Sequence, residues 1–270
     1  ADGEEFERLA GNYDGARGNA RFIDGLATLL RSRCGWEVGP QNIAITNGSQ
    51  SSFYVLFHLF AGEFNQGKKR KILLPLAPEY IGYADVGMGA DLFHTYRPTI
   101  ELRGDREFKY HVDFAHLDVS DEIGAIAVSR PTNPTGNVLT DTEIAGLREL
   151  AIRHGIPFIL DSAYGGPFPN IVFPETKNLW DSNTILCLSL SKLGLPGLRT
   201  GIIVAHEKVI RAVTAANAIV SLAPGSTGPG LVCAMVEDGS ILDLSDQVIR
   251  PYYQEKVKQA VAWVTETMGN

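Results

Sequence analysis

Short apolar runs alternate with longer amphipathic ones along this chain. "NIAIT" (Asn42 to Thr46) reads as a short buried strand. "SQSSFYVLFHLFAG" behind it reads as a helix, with Ser49 or a neighbour at the N-cap. "KILLPL" predicts a second strand and "PEYIGYADVGM" a short helix after it. "DLFHTY" predicts a third strand. "DEIGAIAVSRP" holds a fourth, stopped at Pro131, because proline has no N–H to give a ladder. "DTEIAGLRELAIRHG" has the period of an amphipathic helix, with an Asp/Thr cap at its start and Gly155 at its end. "IPFILD", "TILCLSL" and "TGIIVA" give a fifth, sixth and seventh strand. Helical material dominates from Glu207 onward, and "STGPG" near Ser226 reads as a loop between helices. Strands that alternate with helices predict an α/β fold with a mostly parallel seven-stranded sheet between helices.

Composition narrows the class. The chain has 270 residues, 44% hydrophobic and 20% charged, which is ordinary for a globular protein able to bury a sizeable core. The formal net charge is −7, and the one basic run, "KKRK" (Lys68 to Lys71), reads as a solvated loop, so no nucleic-acid partner is expected. No apolar run approaches the length of a membrane span. The acidic opening "ADGEEFERLAGNYDG" lacks the apolar core of a signal peptide. Cys34, Cys187 and Cys233 are odd in number and far apart, which suggests neither disulfides nor zinc, and Cys187 reads as core. The six histidines are scattered, so no metal site is expected. A reducing, cytoplasmic setting fits best.

The candidate chemistry lies at the strand ends. In a parallel sheet, ligands sit outside the carboxyl ends of the strands. Those ends here are "NGSQ", "APEY", "RPTNPTGN", "DSAYG" and "SLSK", followed by "GLPGLRTG". A lysine, Lys192, and an arginine, Arg199, stand in one glycine-rich turn between two buried strands. A cationic neighbour and partial desolvation push a lysine toward its neutral, nucleophilic form. "TNGSQ" opens a helix and offers free backbone N–H groups to an anion such as phosphate, which Arg199 can clamp as well. Asp161, at a strand end, can pair with a pyridinium nitrogen. A lysine, a phosphate cradle and a carboxylate for a pyridine nitrogen together describe a site for pyridoxal 5'-phosphate (PLP). No P-loop, dinucleotide fingerprint or nucleophile elbow is present.

"NPTG" (Asn133 to Gly136), "DSAYG" (Asp161 to Gly165) and "SLSK…GLPGLRTG" (Ser189 to Gly201) resemble, in order, the cofactor motifs of the fold-type I PLP-dependent aminotransferases. Longer strings, "PQNIAITNGSQS", "PLAPEYIGYAD", "FKYHVDF" and "VSRPTNPTGNVLT", are similar to the branch that exchanges amino groups between valine and pyruvate. The likeness runs from "NYDGARG" at Asn12 to "VIRPYYQ" at Val248.

The resemblance implies roles. Lys192 would form the Schiff base with PLP and later move the substrate's α-proton. Asp161 would keep the pyridine nitrogen protonated. Asn133 and Tyr164 would bond the 3′ oxygen, Tyr80 would stack on the ring, and Ser49, Gln50, Ser189 and Arg199 would hold the phosphate. Tyr13 would reach the phosphate of a neighbouring subunit, which implies a homodimer with shared sites. The small-molecule partners would be an amino acid of the valine or alanine type and a 2-keto acid such as pyruvate.

Residues 1–240 would be the PLP-binding large domain. Residues 241–270 would begin a long helix toward a C-terminal small domain that is largely absent, together with its substrate-carboxylate arginine. Two other readings of the same residues are a PLP-dependent carbon–sulfur β-lyase and a catalytically impaired PLP-binding fragment.

Overall fold

A computed structural model describes residues 3–64, 67–89 and 91–268. The elements are, in order, Gly3–Gly11 (α1), Ala20–Cys34 (α2), Ile43–Thr46 (β1), Ser49–Phe60 (α3), Gly62–Glu63 (β2) and Lys69–Leu74 (β3). Next come Phe93–Thr95 (β4), Thr99–Arg103 (β5), Glu107–His111 (β6), Ile123–Ser129 (β7), Asp141–Arg153 (α4), Phe158–Asp161 (β8), Thr184–Ser189 (β9) and Gly201–Val204 (β10). Four helices close the chain: Glu207–Val220 (α5), Thr227–Asp238 (α6), Ser240–Leu244 (α7) and Arg250–Met268 (α8).

The main sheet has the order β1-β10-β9-β8-β7-β3-β2, and β4 also pairs with β3. Strands β9, β8, β7, β3 and β4 run parallel. All seven expected strands lie in it, with the two-residue β2 as an eighth that was not expected, and the fold is α/β. The seventh, β10, runs antiparallel to both of its neighbours. The reason is the short turn from Ser189 to Gly201: a parallel return needs a crossover of a dozen residues or more, usually a helix.

Alternation along the strands divides the core into two layers. Ile43, Ile45, Leu73, Ile126, Val128, Leu186, Leu188, Ile202 and Val204 point to one face. They meet Phe22, Leu26 and Leu30 of α2, Ile144 and Leu147 of α4, and Val232 and Val236 of α6. Ala44, Ile72, Leu74, Ala125, Ala127, Ile159, Ile185, Cys187 and Ile203 point to the other, against Phe53, Leu56 and Phe57 of α3 and Ile210 and Val213 of α5. Helices on both faces explain why the strands read as unbroken apolar runs.

Several local expectations change. "PEYIGYADVGM" forms one 3-10 turn, Ile81–Tyr83, rather than an α-helix, since its glycines disfavour one. The cap of α3 falls, within the expected stretch, on Gly48, Ser49's neighbour, with φ 89°. "STGPG" is the start of α6, capped by Ser226, because a proline is tolerated in a helix's first turn. In "KKRK", Lys69, Arg70 and Lys71 already belong to β3; their side chains are polar, but β2 pairs with the backbone of Lys69 and Arg70 and β7 with that of Lys71. Helices α1 and α2 and the β5–β6 hairpin carry no signal that the strand-end reading used. The cap of α4 is as expected: Thr140 and Glu143 form a capping box, and Gly155 follows with φ 62°.

Candidate active site

The parallel strands end along one edge of the sheet, and register aligns their last residues. Ser129 pairs with Asp161, Asp161 with Cys187, Ser189 with Gly201, and Gly201 with Thr46. Over this edge lies a pocket of about 200 Å³. Its walls include Ser49, Gln50, Tyr80, Asn133, Asp161, Tyr164, Ser189, Lys192 and Arg199. So nine of the ten site residues expected from sequence converge on one cavity. Tyr13, the tenth, does not line it and is 84% exposed.

One end of the pocket is built for an anion. Helix α3 starts at Ser49; the Ser51 and Ser52 N–H groups bond the Gly48 carbonyl, which leaves those of Ser49 and Gln50 without an intrahelical acceptor. Arg199 crosses directly over Gly48, so that a Cβ there would collide with the guanidinium. Gly201 is needed for a similar reason: a Cβ on it would strike Gly48 and the Ser49 N–H. Arg199 itself sits at φ 45°, in the left-handed region, where the turn lifts it out of β10. Its guanidinium donates to the Pro196 carbonyl at 3.3 Å, and it pairs with no carboxylate among the described residues. Lys192 likewise has no ion pair among the described residues, and its Nζ lies 5.1 Å from the centre of the Tyr164 ring. Two unpaired cations beside a helix N-terminus make an electropositive end.

The floor is the opposite in sign. Asp161 is 6% exposed, and burial pushes its carboxyl up to about 6, against which hydrogen bonds from Tyr83 and Ala163 act. The Tyr83 hydroxyl donates to Oδ2 at 2.7 Å and the Ala163 N–H to Oδ1 at 2.9 Å. Tyr83 meets Tyr80 edge-to-face, with ring centres 5.4 Å apart. The Tyr80 ring folds back over Gly82, where a Cβ would overlap it, and Gln50 donates to the Gly82 carbonyl at 2.6 Å. The ring's perch is therefore tied to α3.

Sequence reading missed Glu79, Tyr83, Ser129 and Ser191. Ser129 and Ser191 line the pocket; Glu79 and Tyr83 stand behind it. The available signal was an acid beside Tyr80 and a second tyrosine three residues past it, in the loop that follows the carboxyl end of β3.

A buried carboxylate below, a lysine without a counter-ion and an anion cradle at one end fit a phosphorylated pyridine aldehyde by their donor set. The chain belongs to the class I and II aminotransferase family, whose pattern matches residues 7–262, and that family is PLP-dependent. It is 55% identical over 251 residues to valine–pyruvate aminotransferase of Escherichia coli K12, covering 93% of this chain and 60% of that protein. The crystal structure of valine–pyruvate aminotransferase from Salmonella typhimurium LT2 superposes with a TM-score of 0.89 at 53% identity, over 96% of this chain and 64% of that one. N-succinyldiaminopimelate aminotransferase of Mycobacterium tuberculosis, at 21% identity, shares the fold with a TM-score of 0.81, over 97% and 67% of the two chains. The chain thus spans about three fifths of the length of the relatives it matches best among these. Among the described residues no helix is long and apolar enough to cross a membrane.

Proposed function

We propose that this pocket binds PLP and serves an aminotransferase that moves an amino group between an aliphatic amino acid of the valine or alanine type and a 2-keto acid such as pyruvate. The observation that carries the reading is the convergence of Lys192, Arg199 and buried Asp161 on one cavity at the carboxyl edge of the sheet. The identity of more than half to a valine–pyruvate enzyme supports the substrate class.

When bound, PLP supplies an electron sink for charge released at the substrate's Cα. The protein does the rest. Ser49, Gln50, Ser189 and Arg199 hold the phosphate. Asp161 keeps a proton on the ring nitrogen, and a cation there favours its charged form, offsetting the burial that otherwise opposes it. Asn133 and Tyr164 hydrogen-bond the 3′ oxygen, and Tyr80 covers the ring face. Lys192 would offer the amine that anchors the aldehyde and, once free of it, would move the proton from the substrate's Cα to the cofactor's C4′.

The same reading assigns residues 1–240 to a cofactor-binding large domain and 241–270 to a helix leading toward a small domain. It makes the protein a cytoplasmic homodimer of amino-acid biosynthesis. The exposure of Tyr13, outside its own pocket, suits a residue used across a subunit interface.

The test is a visible absorption spectrum of the chain with PLP. A protein-bound PLP band is expected that Lys192→Ala lacks. L-valine should convert it to the spectrum of the amine form, and pyruvate should restore it. No band, or the same band in Lys192→Ala, overturns the cofactor reading. A band that valine leaves untouched removes aminotransfer from this chain. Ammonia and pyruvate released from a cysteine conjugate without an acceptor would make it a β-lyase.

A further inference from the structure

Glu79 stands one layer behind the pocket. It follows β3 by a few residues, and its carboxylate reaches across to the end of β7. Oε1 accepts the Ser129 N–H at 2.9 Å. Oε2 accepts the Tyr80 N–H at 3.0 Å and also the Ser129 hydroxyl. Tyr80 and Ser129 both line the cavity, while Glu79 does not. Among the described residues no lysine, arginine or histidine pairs with it. Burial pushes its carboxyl up to about 7, and repulsion from Asp161 adds to the rise. A buried carboxylate without a cation persists only where donors hold it. These three donors belong to the pocket's own wall.

We propose that Glu79 is a positioning residue for the cofactor: by bonding Tyr80 and Ser129 together it fixes the ring-covering tyrosine relative to the strand ends that carry Asp161 and the Asn133 loop. The proposal rests on the PLP reading above and goes one layer deeper. Its chemistry explains why a carboxylate is used. Ser129 N–H faces one oxygen and Tyr80 N–H the other. An amide of the same shape puts an NH₂ group against one of these N–H donors, whichever way it turns.

The test is Glu79→Gln, which preserves volume, compared with Glu143→Gln. Glu143 is also a buried carboxylate held by backbone donors, but it lies away from the pocket, between α4 and Val112. Two quantities are read: PLP affinity, and the visible circular dichroism per bound PLP, which reports how the ring sits against its surroundings. Glu79→Gln is expected to weaken PLP binding about tenfold, the loss of one charge-assisted hydrogen bond, and to diminish the dichroism. Glu143→Gln is expected to lower the melting temperature while keeping both quantities. Wild-type affinity and dichroism in Glu79→Gln would overturn the proposal, as would equal losses in the two variants. A wild type that binds no PLP at all fails the reading beneath it, and is told apart because the control then gives no band.

Discussion

Asp161 offers a test in which stability and binding move in opposite directions. Its carboxyl is buried at the base of the pocket and is raised from 3.8 to about 6, with burial as the largest cause. A raised carboxyl means that the folded state holds its proton more tightly than the unfolded chain. Stability from this group is therefore present at low pH and is lost as pH rises through the window from about 4 to about 6. The shift of roughly two units corresponds to roughly 3 kcal/mol of cost once the group is fully charged, and to about half of that at about pH 5.

Asp161→Asn removes the charge and keeps the shape. The asparagine oxygen can accept from the Ala163 N–H while its NH₂ donates to the Tyr83 hydroxyl, which turns to accept. In urea denaturation without PLP, the variant should be more stable than the wild type at about pH 8, by roughly 1–3 kcal/mol, and the gap should shrink by about 1.4 kcal/mol at about pH 5. The same variant should bind PLP more weakly, since the ring nitrogen loses its anionic partner. A variant less stable at about pH 8, or a gap that does not change with pH, refutes the reasoning.

Three further outcomes are expected. Gly48→Ala places a side chain at φ 89° against the Arg199 guanidinium, so it should weaken inorganic phosphate and PLP binding and cost at least about 1 kcal/mol of stability, read by titration and melting. Tyr83→Phe removes a hydrogen bond that holds Asp161's carboxyl down, so the pH below which PLP binding weakens should move upward; an unchanged pH profile would contradict it. Glu143→Ala strips acceptors from the N–H groups of Val112 and Thr140 and from His111, and should destabilise the chain by roughly 2–4 kcal/mol in a denaturation curve while leaving PLP affinity unchanged.

Much of this protein is written locally. Strand ends carry their chemistry in contiguous strings, so Lys192, Arg199, Asn133, Asp161 and Tyr164 could be named from "SLSK", "GLPGLRTG", "NPTG" and "DSAYG". Most of the seven strands were legible as well, because a strand buried on both faces is an unbroken apolar run whatever it pairs with; β4 is the exception, with His94 and Thr95 exposed. The direction of the seventh was not. The turn from Ser189 to Gly201 sends β10 back antiparallel, and an apolar run has no arrow.

The layer behind the pocket belongs to tertiary structure alone. Tyr83 and Asp161 are 78 residues apart in sequence, and Glu79 and Ser129 are 50 apart. Each pair meets only because β3, β7 and β8 lie side by side with their ends aligned. Burial, and with it the rise of both carboxyl groups, follows from that same stacking. A residue's identity fixes which proton it can hold. How tightly it holds that proton depends on what the fold packs around it, and here neighbours from three strands supply that environment.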